Sequence, residues 1–183
     1  MSVRYHNFGG VIGWNLQKYF PMLSSDSYLK LQRSTRNKLQ KEYIDYFLST
    51  EEPPMPLVVN LETINRCNST CSFCTANKNA EKRPYKRMED SLFYSIIDQL
   101  AEWGYTGHLT LYGNNEPFLD TRIVAFHKYC REKLPHSFIF LSSNGLLLTV
   151  DKVKEIIPYV NQLIINNYCR DMKLHDNVRE IYE

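Results

Sequence analysis

The chain has 183 residues, of which 43% are hydrophobic and 23% are charged, and its net charge is +2. This is the composition of a globular protein, and the small net charge predicts no nucleic-acid partner, because nucleic-acid binders carry a larger basic excess. No apolar stretch approaches the about 18 residues of a membrane span, and the N-terminus lacks the pattern of a signal peptide, so we expect a cytoplasmic protein with no membrane partner.

The first part of the chain predicts a helix followed by a linker. Apolar residues recur at roughly helical spacing over residues 27–48. A helix packed on its own domain is favoured over one lying on a membrane surface, because acidic residues dilute the basic ones. Three prolines over residues 51–56 predict a linker. We therefore predict an N-terminal helical extension over residues 1–56 and a core domain over residues 57–183.

Strands and helices then alternate four times along the chain. The strands are continuous apolar runs, as expected when both faces of a sheet are buried. The predicted strands are 57–61, 108–112, 138–142 and 162–165. The predicted helices are 88–103, 120–134 with Asp120 as its N-cap, a short helix that Thr149 caps and that stops before Pro158, and one from about Lys173.

This alternation predicts an α/β fold with a parallel sheet and right-handed crossovers. Polar and special residues follow the carboxyl end of each strand. They are the cysteines after the first strand, 113–117 after the second, 142–145 after the third, and Asn166 with Asn167 after the fourth. Ligands of parallel α/β folds bind at this edge, so the sequence predicts one site built from four loops.

Three of the five cysteines form a candidate metal site. Cys67, Cys71 and Cys74 have the spacing C-x3-C-x2-C directly after the first predicted strand. Thiolates ligate iron–sulfur clusters, and three of them leave one iron of a [4Fe–4S] cube open to another ligand. A zinc site, buried inert cysteines and a disulfide are the alternatives. The remaining Cys130 and Cys169 supply no second C-x2-C pair, and an odd number in a reducing compartment argues against disulfides. We favour the cluster.

Residues 61–74, Leu-Glu-Thr-Ile-Asn-Arg-Cys-Asn-Ser-Thr-Cys-Ser-Phe-Cys, resemble the signature of the radical S-adenosylmethionine (SAM) superfamily. The aromatic Phe73 before the last cysteine fits that signature, and the likeness extends over about 57–170. The resemblance implies a partial TIM barrel, a [4Fe–4S] cluster and SAM chelated to the open iron. One electron would then cleave SAM to methionine and a 5′-deoxyadenosyl radical, which abstracts hydrogen from a substrate.

Two later segments resemble motifs of the same family. Residues 113–117, Gly-Asn-Asn-Glu-Pro, resemble a Gly-Gly-Glu-Pro segment that meets the SAM amino group. Asn115 stands where the second glycine is usual, and asparagine tolerates left-handed backbone angles, so we expect the turn to survive. Residues 142–149 look like the family's Thr-Asn-Gly segment. The residues expected at the SAM site are Phe73, whose backbone meets the adenine, and Gly113, Asn115, Glu116, Pro117, Ser142, Asn144 and Asn166.

The family's core resembles a partial barrel of six βα units, and this chain supplies about four. We therefore expect a fragment, or a product that another chain completes. Arg87 and Met88 before the first core helix resemble a subgroup that often carries a C-terminal cysteine-rich (SPASM) domain and modifies peptides, other enzymes or small metabolites. The resemblance also implies a reductant protein such as flavodoxin or ferredoxin, and it assigns no catalytic residue.

Two hypotheses of other kinds stay open at this point. The chain could be a non-catalytic, cysteine-rich metal-binding α/β module, which predicts zinc and no dependence on reduction. It could also be a scaffold that binds SAM without cleaving it, which predicts a cluster but no 5′-deoxyadenosine.

Overall fold

A computed structural model describes residues 25–50, 54–168 and 173–183 of the chain. The chain divides into two compact units, 1–55 and 56–183. That the second unit is a separate core domain stays a prediction.

The first unit contains the helix α1, Ser25–Thr50. It confirms the helix expected over 27–48 and extends it by two residues at each end. Its Tyr43 hydroxyl donates a hydrogen bond to the carbonyl of Pro54 at 3.1 Å, which ties the chain after the helix back to it. None of the helices in the described part of the chain has the length and apolar character that crossing a membrane requires.

The second unit is built on a parallel sheet with helices between its strands. The strands are β1 (Val58–Asn60), β2 (His108–Thr110), β3 (Phe138–Ser143) and β4 (Gln162–Ile165). The helices are α2 (Asp90–Glu102), α3 (Ile123–Lys133), α4 (Val150–Ile156) and α5 (Asp176–Tyr182). Short 3-10 turns lie at Pro117–Leu119 and Ile157–Tyr159.

Each strand pairs in parallel with the strand that precedes it in sequence, so the sheet order is β1-β2-β3-β4. The register places Val58 beside His108 and Leu109 beside Ile139. Because parallel crossovers are right-handed, this order brings successive helices to one face of the sheet and leaves the other face for a barrel interior. The prediction of an α/β partial TIM barrel is confirmed.

The sheet face that packs against the helices is apolar. Alternate residues of β3, and of β2 with the residue that follows it, are fully buried there, as the period of a strand requires: Leu109, Leu111, Ile139 and Leu141. Between α2 and α3, the rings of Phe93 and Phe126 stack with their centroids 3.8 Å apart. Each such side chain contributes about 1.5–3 kcal/mol by leaving water. This layer gives the loops at the strand ends a rigid base.

The start of α3 differs from the prediction. Asp120 was expected to cap the helix, whereas the helix begins at Ile123 after Arg122. Asp120 instead accepts hydrogen bonds from the backbone N–H and the Nε of Arg122, at 3.1 and 2.9 Å. Burial acts to raise the pKa of Asp120, but the bonds from Arg122 outweigh it and hold that pKa below its usual value. The prediction was wrong because a 3-10 turn, Pro117–Leu119, comes before the helix.

The other helix ends follow the prediction more closely. Thr149 is confirmed as the N-cap of α4, since its hydroxyl accepts from the N–H of Lys152 at 3.2 Å. The helix stops before Pro158, as predicted, and a 3-10 turn containing that proline follows. Helix α2 begins two residues later than expected, because the N–H of Met88 is used in an extended contact with the carbonyl of Thr63 at 2.8 Å.

Candidate cluster and SAM site

The loop that carries the three cysteines is fixed by one buried asparagine. Asn77 donates from Nδ2 to the carbonyls of Cys71 and Cys74, at 3.0 and 2.7 Å. Its Oδ1 accepts from the N–H groups of Asn79 and Ala80, at 2.9 and 3.0 Å. An amide offers two donors and two acceptor positions, and all four are used here. Asn77 therefore determines the path of the backbone through two of the three cysteines.

Two of the three cysteine sulfurs make hydrogen-bond contacts with polar neighbours. The Sγ of Cys67 accepts from the N–H of Ser69 at 3.4 Å and from Nδ2 of Asn144 at 3.7 Å. The Sγ of Cys71 lies 3.1 Å from the hydroxyl of Ser69. Burial raises the pKa of the Cys67 thiol, and the charge of Glu116 adds to the effect, while the two donors oppose it. Donors of this kind stabilise a thiolate, which is the form that binds metal.

A strap of chain, residues 81–88, folds back along the cysteine loop. The amide of Asn65 donates to the carbonyl of Pro84 at 2.8 Å and accepts from the N–H of Lys86 at 2.8 Å. The guanidinium of Arg66 donates to the carbonyl of Arg83 at 2.8 Å. These bonds hold the residues just before Cys67 in place from the side.

The segment 113–117 turns after β2 and lies against the cysteine loop. The N–H of Glu116 donates to the carbonyl of Arg66 at 2.8 Å. Oδ1 of Asn115 accepts from the N–H of Gly113 at 2.8 Å, so the asparagine that replaces the usual glycine closes the turn with its own side chain. A Cβ added to Gly113 would meet Glu62 at 3.7 Å, an ordinary contact, so packing within the chain does not require glycine there.

The carboxylate of Glu116 is buried and bonded within the chain. Its Oε1 accepts from the hydroxyl of Ser143 at 2.8 Å and from the N–H of Phe118 at 3.2 Å. Its Oε2 accepts from the N–H of Asn144 at 2.7 Å. Burial raises the pKa of Glu116, and these donors act against the rise. Glu116 therefore ties the loop after β2 to the loop after β3, and its expected contact with the SAM amino group stays a prediction.

Polar side chains continue across the ends of β3 and β4. Nδ2 of Asn166 donates to the hydroxyl of Ser142 at 2.6 Å, and the N–H of Asn166 donates to the carbonyl of Ser143 at 2.7 Å. Next to them, the ring of Tyr112 meets Phe140 edge-on, with centroids 5.4 Å apart. Burial raises the pKa of Tyr112, and a hydrogen bond with Ser142 opposes the rise.

These loops surround a cavity of about 160 Å³. Its lining contains all but one of the predicted site residues: Cys67, Cys71, Cys74, Phe73, Gly113, Asn115, Glu116, Ser142, Asn144 and Asn166. The exception is Pro117, which is buried at the start of a 3-10 turn and does not line the cavity. Cys130 is buried in the core, and Cys169 lies outside the described residues.

Two aromatic residues that the sequence analysis did not predict also line the cavity. They are Tyr112 and Tyr168. The ring of Phe73, which is 71% exposed, meets Tyr168 edge-on with centroids 5.2 Å apart. Burial raises the pKa of Tyr168, and the charges of Cys71 and Cys74 add to it. Tyr112 was predicted as the last residue of the second strand and Tyr168 directly follows Asn167, so closeness to the carboxyl end of a strand was the signal that could have found them.

The chemistry of the donor set fits an iron–sulfur cluster. Three soft thiol ligands from one loop line the same cavity, and N–H and O–H groups lie against two of their sulfurs. Within the described ranges, no three His, Cys, Asp or Glu side chains are grouped as ligands of a single metal ion. Cys67, Cys71 and Cys74 are thus the residues that would hold a cluster.

Known proteins resemble this chain in sequence and in fold. The Radical SAM superfamily model matches residues 61–166. The S-adenosyl-L-methionine-dependent 2-deoxy-scyllo-inosamine dehydrogenase of Niallia circulans is 22% identical over 99 residues, which cover 54% of this chain and 39% of that protein. Crystal structures of BtrN match with TM-scores of 0.63, in complex with AdoMet and 2-DOIA, and 0.56, in an open conformation.

The two BtrN structures share 21% and 19% identity with this chain and cover 70% and 67% of it. The chain in turn covers 51% and 56% of those structures, so it spans about half the length of the solved relatives and about two-fifths of the curated one. At this identity the structural likeness establishes the fold, which agrees with the partial barrel described above. The family model covers more than half of the 183 residues, and the chain belongs to the radical SAM superfamily.

Proposed function

We propose that this chain forms the cluster- and SAM-binding part of a radical SAM enzyme. The observation that carries the proposal is the shared cavity: three thiols of one loop line it together with the loops that follow β2, β3 and β4. A cluster with one open iron needs three thiolates and a neighbouring pocket for the ligand of that iron, and this cavity combines both.

In this proposal Cys67, Cys71 and Cys74 hold a [4Fe–4S] cluster. When bound, the reduced cluster and SAM supply the chemistry, a one-electron cleavage to methionine and a 5′-deoxyadenosyl radical that takes hydrogen from a substrate. The chain's own part is to hold the thiols apart on a fixed loop. Asn77 does this through the carbonyls of two cysteines, and Ser69 does it through hydrogen bonds to two sulfurs.

The SAM molecule would lie along the polar rim of the cavity. The segment 113–117 would meet the methionine end of SAM. Packing within the chain does not require glycine at position 113, so the missing side chain of Gly113 would leave room for the ligand. The backbone at Phe73 would meet the adenine. Ser142, Asn144 and Asn166 would line this part of the SAM site, with Asn166 toward the ribose, since each contributes hydroxyl or amide groups to the cavity wall at the carboxyl end of a strand.

Substrate and partners form a separate part of the proposal. We infer a small-molecule or peptide substrate, in keeping with the SPASM-associated subgroup, and the curated relative is named for a small molecule, 2-deoxy-scyllo-inosamine. An electron must reach the cluster from outside, so a reductant protein such as flavodoxin or ferredoxin is the partner we infer, with the cytoplasm as the shared compartment.

Anaerobic assembly of the protein with iron and sulfide, followed by dithionite and SAM, tests the proposal. We expect 5′-deoxyadenosine and methionine in equal amounts, and neither product without the reductant. SAM should also change the electron paramagnetic resonance (EPR) spectrum of the reduced cluster before any turnover. A protein that binds zinc in preference to a cluster would support the non-catalytic metal-binding module. A cluster whose EPR spectrum responds to SAM without 5′-deoxyadenosine would support a scaffold that binds SAM without cleaving it.

A further inference from the structure

Glu116 has an environment that suits a buried anchor. Its exposed fraction is 1%. Three donors from two different loops already occupy its carboxylate: the hydroxyl of Ser143, the N–H of Phe118 and the N–H of Asn144, at 2.8, 3.2 and 2.7 Å. An ionised carboxylate has about four acceptor positions, so three of them are taken by the chain itself. Drawing the carboxylate toward a ligand would leave two backbone N–H groups without their acceptor.

Glu116 fixes the position of Asn144. Its N–H is bound by Glu116, and its Oδ1 accepts from the N–H of Leu146 at 3.0 Å, which closes the turn after β3. Its Nδ2 donates to Oδ1 of Asn68 at 2.8 Å and to Sγ of Cys67 at 3.7 Å. With both its backbone and its side-chain oxygen fixed, the amide has one orientation, and that orientation points a donor at a cysteine sulfur.

The network crosses from the third βα unit to the first. Asn144 and Cys67 are 77 residues apart, and the bond between them depends on the placement of the loop after β3. Glu116, in the second βα unit, secures that placement through its carboxylate. Its own N–H is bound to the carbonyl of Arg66 in the cysteine loop. Glu116 thus fixes both partners of the Asn144–Cys67 contact, one through its backbone and the other through its carboxylate.

We propose that Glu116 is a positioning residue that acts through Asn144, and that the Asn144 amide sets the reduction potential of the cluster by donating to the sulfur of Cys67. This inference rests on the proposed function, because it requires a cluster on Cys67. A donor to a ligating sulfur withdraws negative charge and stabilises the reduced cluster more than the oxidised one. Removing the donor therefore shifts the potential to more negative values.

The test is an EPR-monitored redox titration of the assembled protein in the absence of SAM. Asn144→Ala removes the donor, and we expect a shift of the midpoint potential to more negative values. Glu116→Asp keeps the charge near Cys67 but shortens the side chain by one methylene, so its expected shift has the same direction. Asn79→Ala is the matched control, because the side chain of Asn79 is exposed and only its backbone N–H is used nearby. Its potential should equal that of the wild type.

The double variant shows whether the two residues act as a unit. If Glu116 acts through Asn144, the shift in Glu116→Asp/Asn144→Ala equals that of Asn144→Ala alone, because the second change has nothing left to position. A Glu116 that binds the SAM ammonium directly gives the opposite pattern: Glu116→Asp weakens SAM binding and leaves the SAM-free potential at the wild-type value. That result overturns the role assigned to Glu116.

Each outcome can be separated from a failure of the proposed function. A wild-type protein that takes up no iron and sulfide refutes the cluster itself, and this inference falls with it. A wild-type protein with a cluster, and an Asn144→Ala variant with the same potential, refute this inference alone. Iron and sulfide content and circular dichroism are measured for every variant. If Glu116→Asp fails to fold, Asn144→Ala against Asn79→Ala still decides whether the donor sets the potential.

Discussion

The helix-covered face of the parallel sheet and the carboxyl edge of its strands are held together in different ways. Toward the helices, large apolar side chains pack directly, as in the stacked rings of Phe93 and Phe126. At the carboxyl edge, positions are fixed by hydrogen bonds from single polar side chains, as Asn77 fixes the cysteine loop. The first arrangement depends on volume and the second on the placement of a few donors and acceptors. Substitutions on the helix-covered face should therefore change stability, and substitutions at the carboxyl edge should change metal or ligand binding.

We expect the largest effect in a comparison of two cysteine substitutions, one in the cavity and one in the apolar layer. Cys71→Ala removes one of the three proposed cluster ligands, and we expect complete loss of the cluster and of any 5′-deoxyadenosine formation, because two remaining thiolates cannot hold it. Cys130→Ala, in the apolar layer, should keep the wild-type iron and sulfide content after assembly. Iron and sulfide analysis checks both variants. Loss of the cluster in Cys130→Ala would show that the two sides are not independent.

Two phenylalanines give the corresponding contrast in stability. Phe126 is 1% exposed and stacked on Phe93, so Phe126→Ala should lower the free energy of unfolding by about 3–5 kcal/mol. Phe73→Ala, at an exposed position of the cavity rim, should change it by no more than about 0.5 kcal/mol. Urea unfolding of both variants measures the difference. Equal losses would mean that the cavity rim carries as much of the fold as the core does.

His127 makes the apolar layer sensitive to acid. Its Nδ1 is bound to the carbonyl of Ile123 at 2.7 Å, and burial lowers its pKa from 6.5 to about 4. The unfolded chain therefore binds this proton at a higher pH than the folded chain, so stability falls as the pH drops from about 6.5 to about 4. The contribution is roughly 3 kcal/mol across that window.

Unfolding free energies measured at pH 7 and pH 4.5 test this prediction. A His127→Leu variant should lose less stability between the two values than the wild type does. His136→Gln, at an exposed position, serves as the control and should follow the wild type. An identical pH dependence in wild type and His127→Leu would contradict the assignment.

A smaller effect is expected from Asn77, on the polar side. Asn77→Ala removes four hydrogen bonds that shape the cysteine loop. Supporting residues of metal sites typically change affinity by about 10–100-fold, or about 1.4–2.8 kcal/mol, and we expect a loss of iron retention in this range. Competition with an iron chelator measures it. Asn79→Ala, next to it in sequence, should retain iron like the wild type.

Much of the fold could be predicted from the sequence, because strands and helices follow from local patterns. Four apolar runs with helices between them predicted the sheet. Thr149 was correctly predicted as the N-cap of α4. The Asp120 cap was wrong, since local pattern does not show whether a 3-10 turn comes first. The cysteines could be predicted because their spacing is itself local.

The bonds inside the site could not be predicted in this way. Glu116 with Asn144, and Asn144 with Cys67, join residues 28 and 77 positions apart. Which atoms form these hydrogen bonds depends on the register of neighbouring strands and on the conformation of each loop. A short sequence motif determines neither property. Resemblance predicts a ligand-binding role for Glu116, and that role stays a prediction; its burial and its bonds to the loop after β3 could not be read from the motif.

The order of the strands also has a consequence for how the site comes into being during synthesis. Each site loop bonds to the one made just before it: Glu116 to Arg66, Asn144 to Glu116, and Asn166 to Ser143. A chain that emerges N-terminus first can thus complete these links one at a time, without waiting for a distant partner. We expect each newly made loop to be fixed by hydrogen bonds to the loop that precedes it. Damage to an early link should then delay every later one.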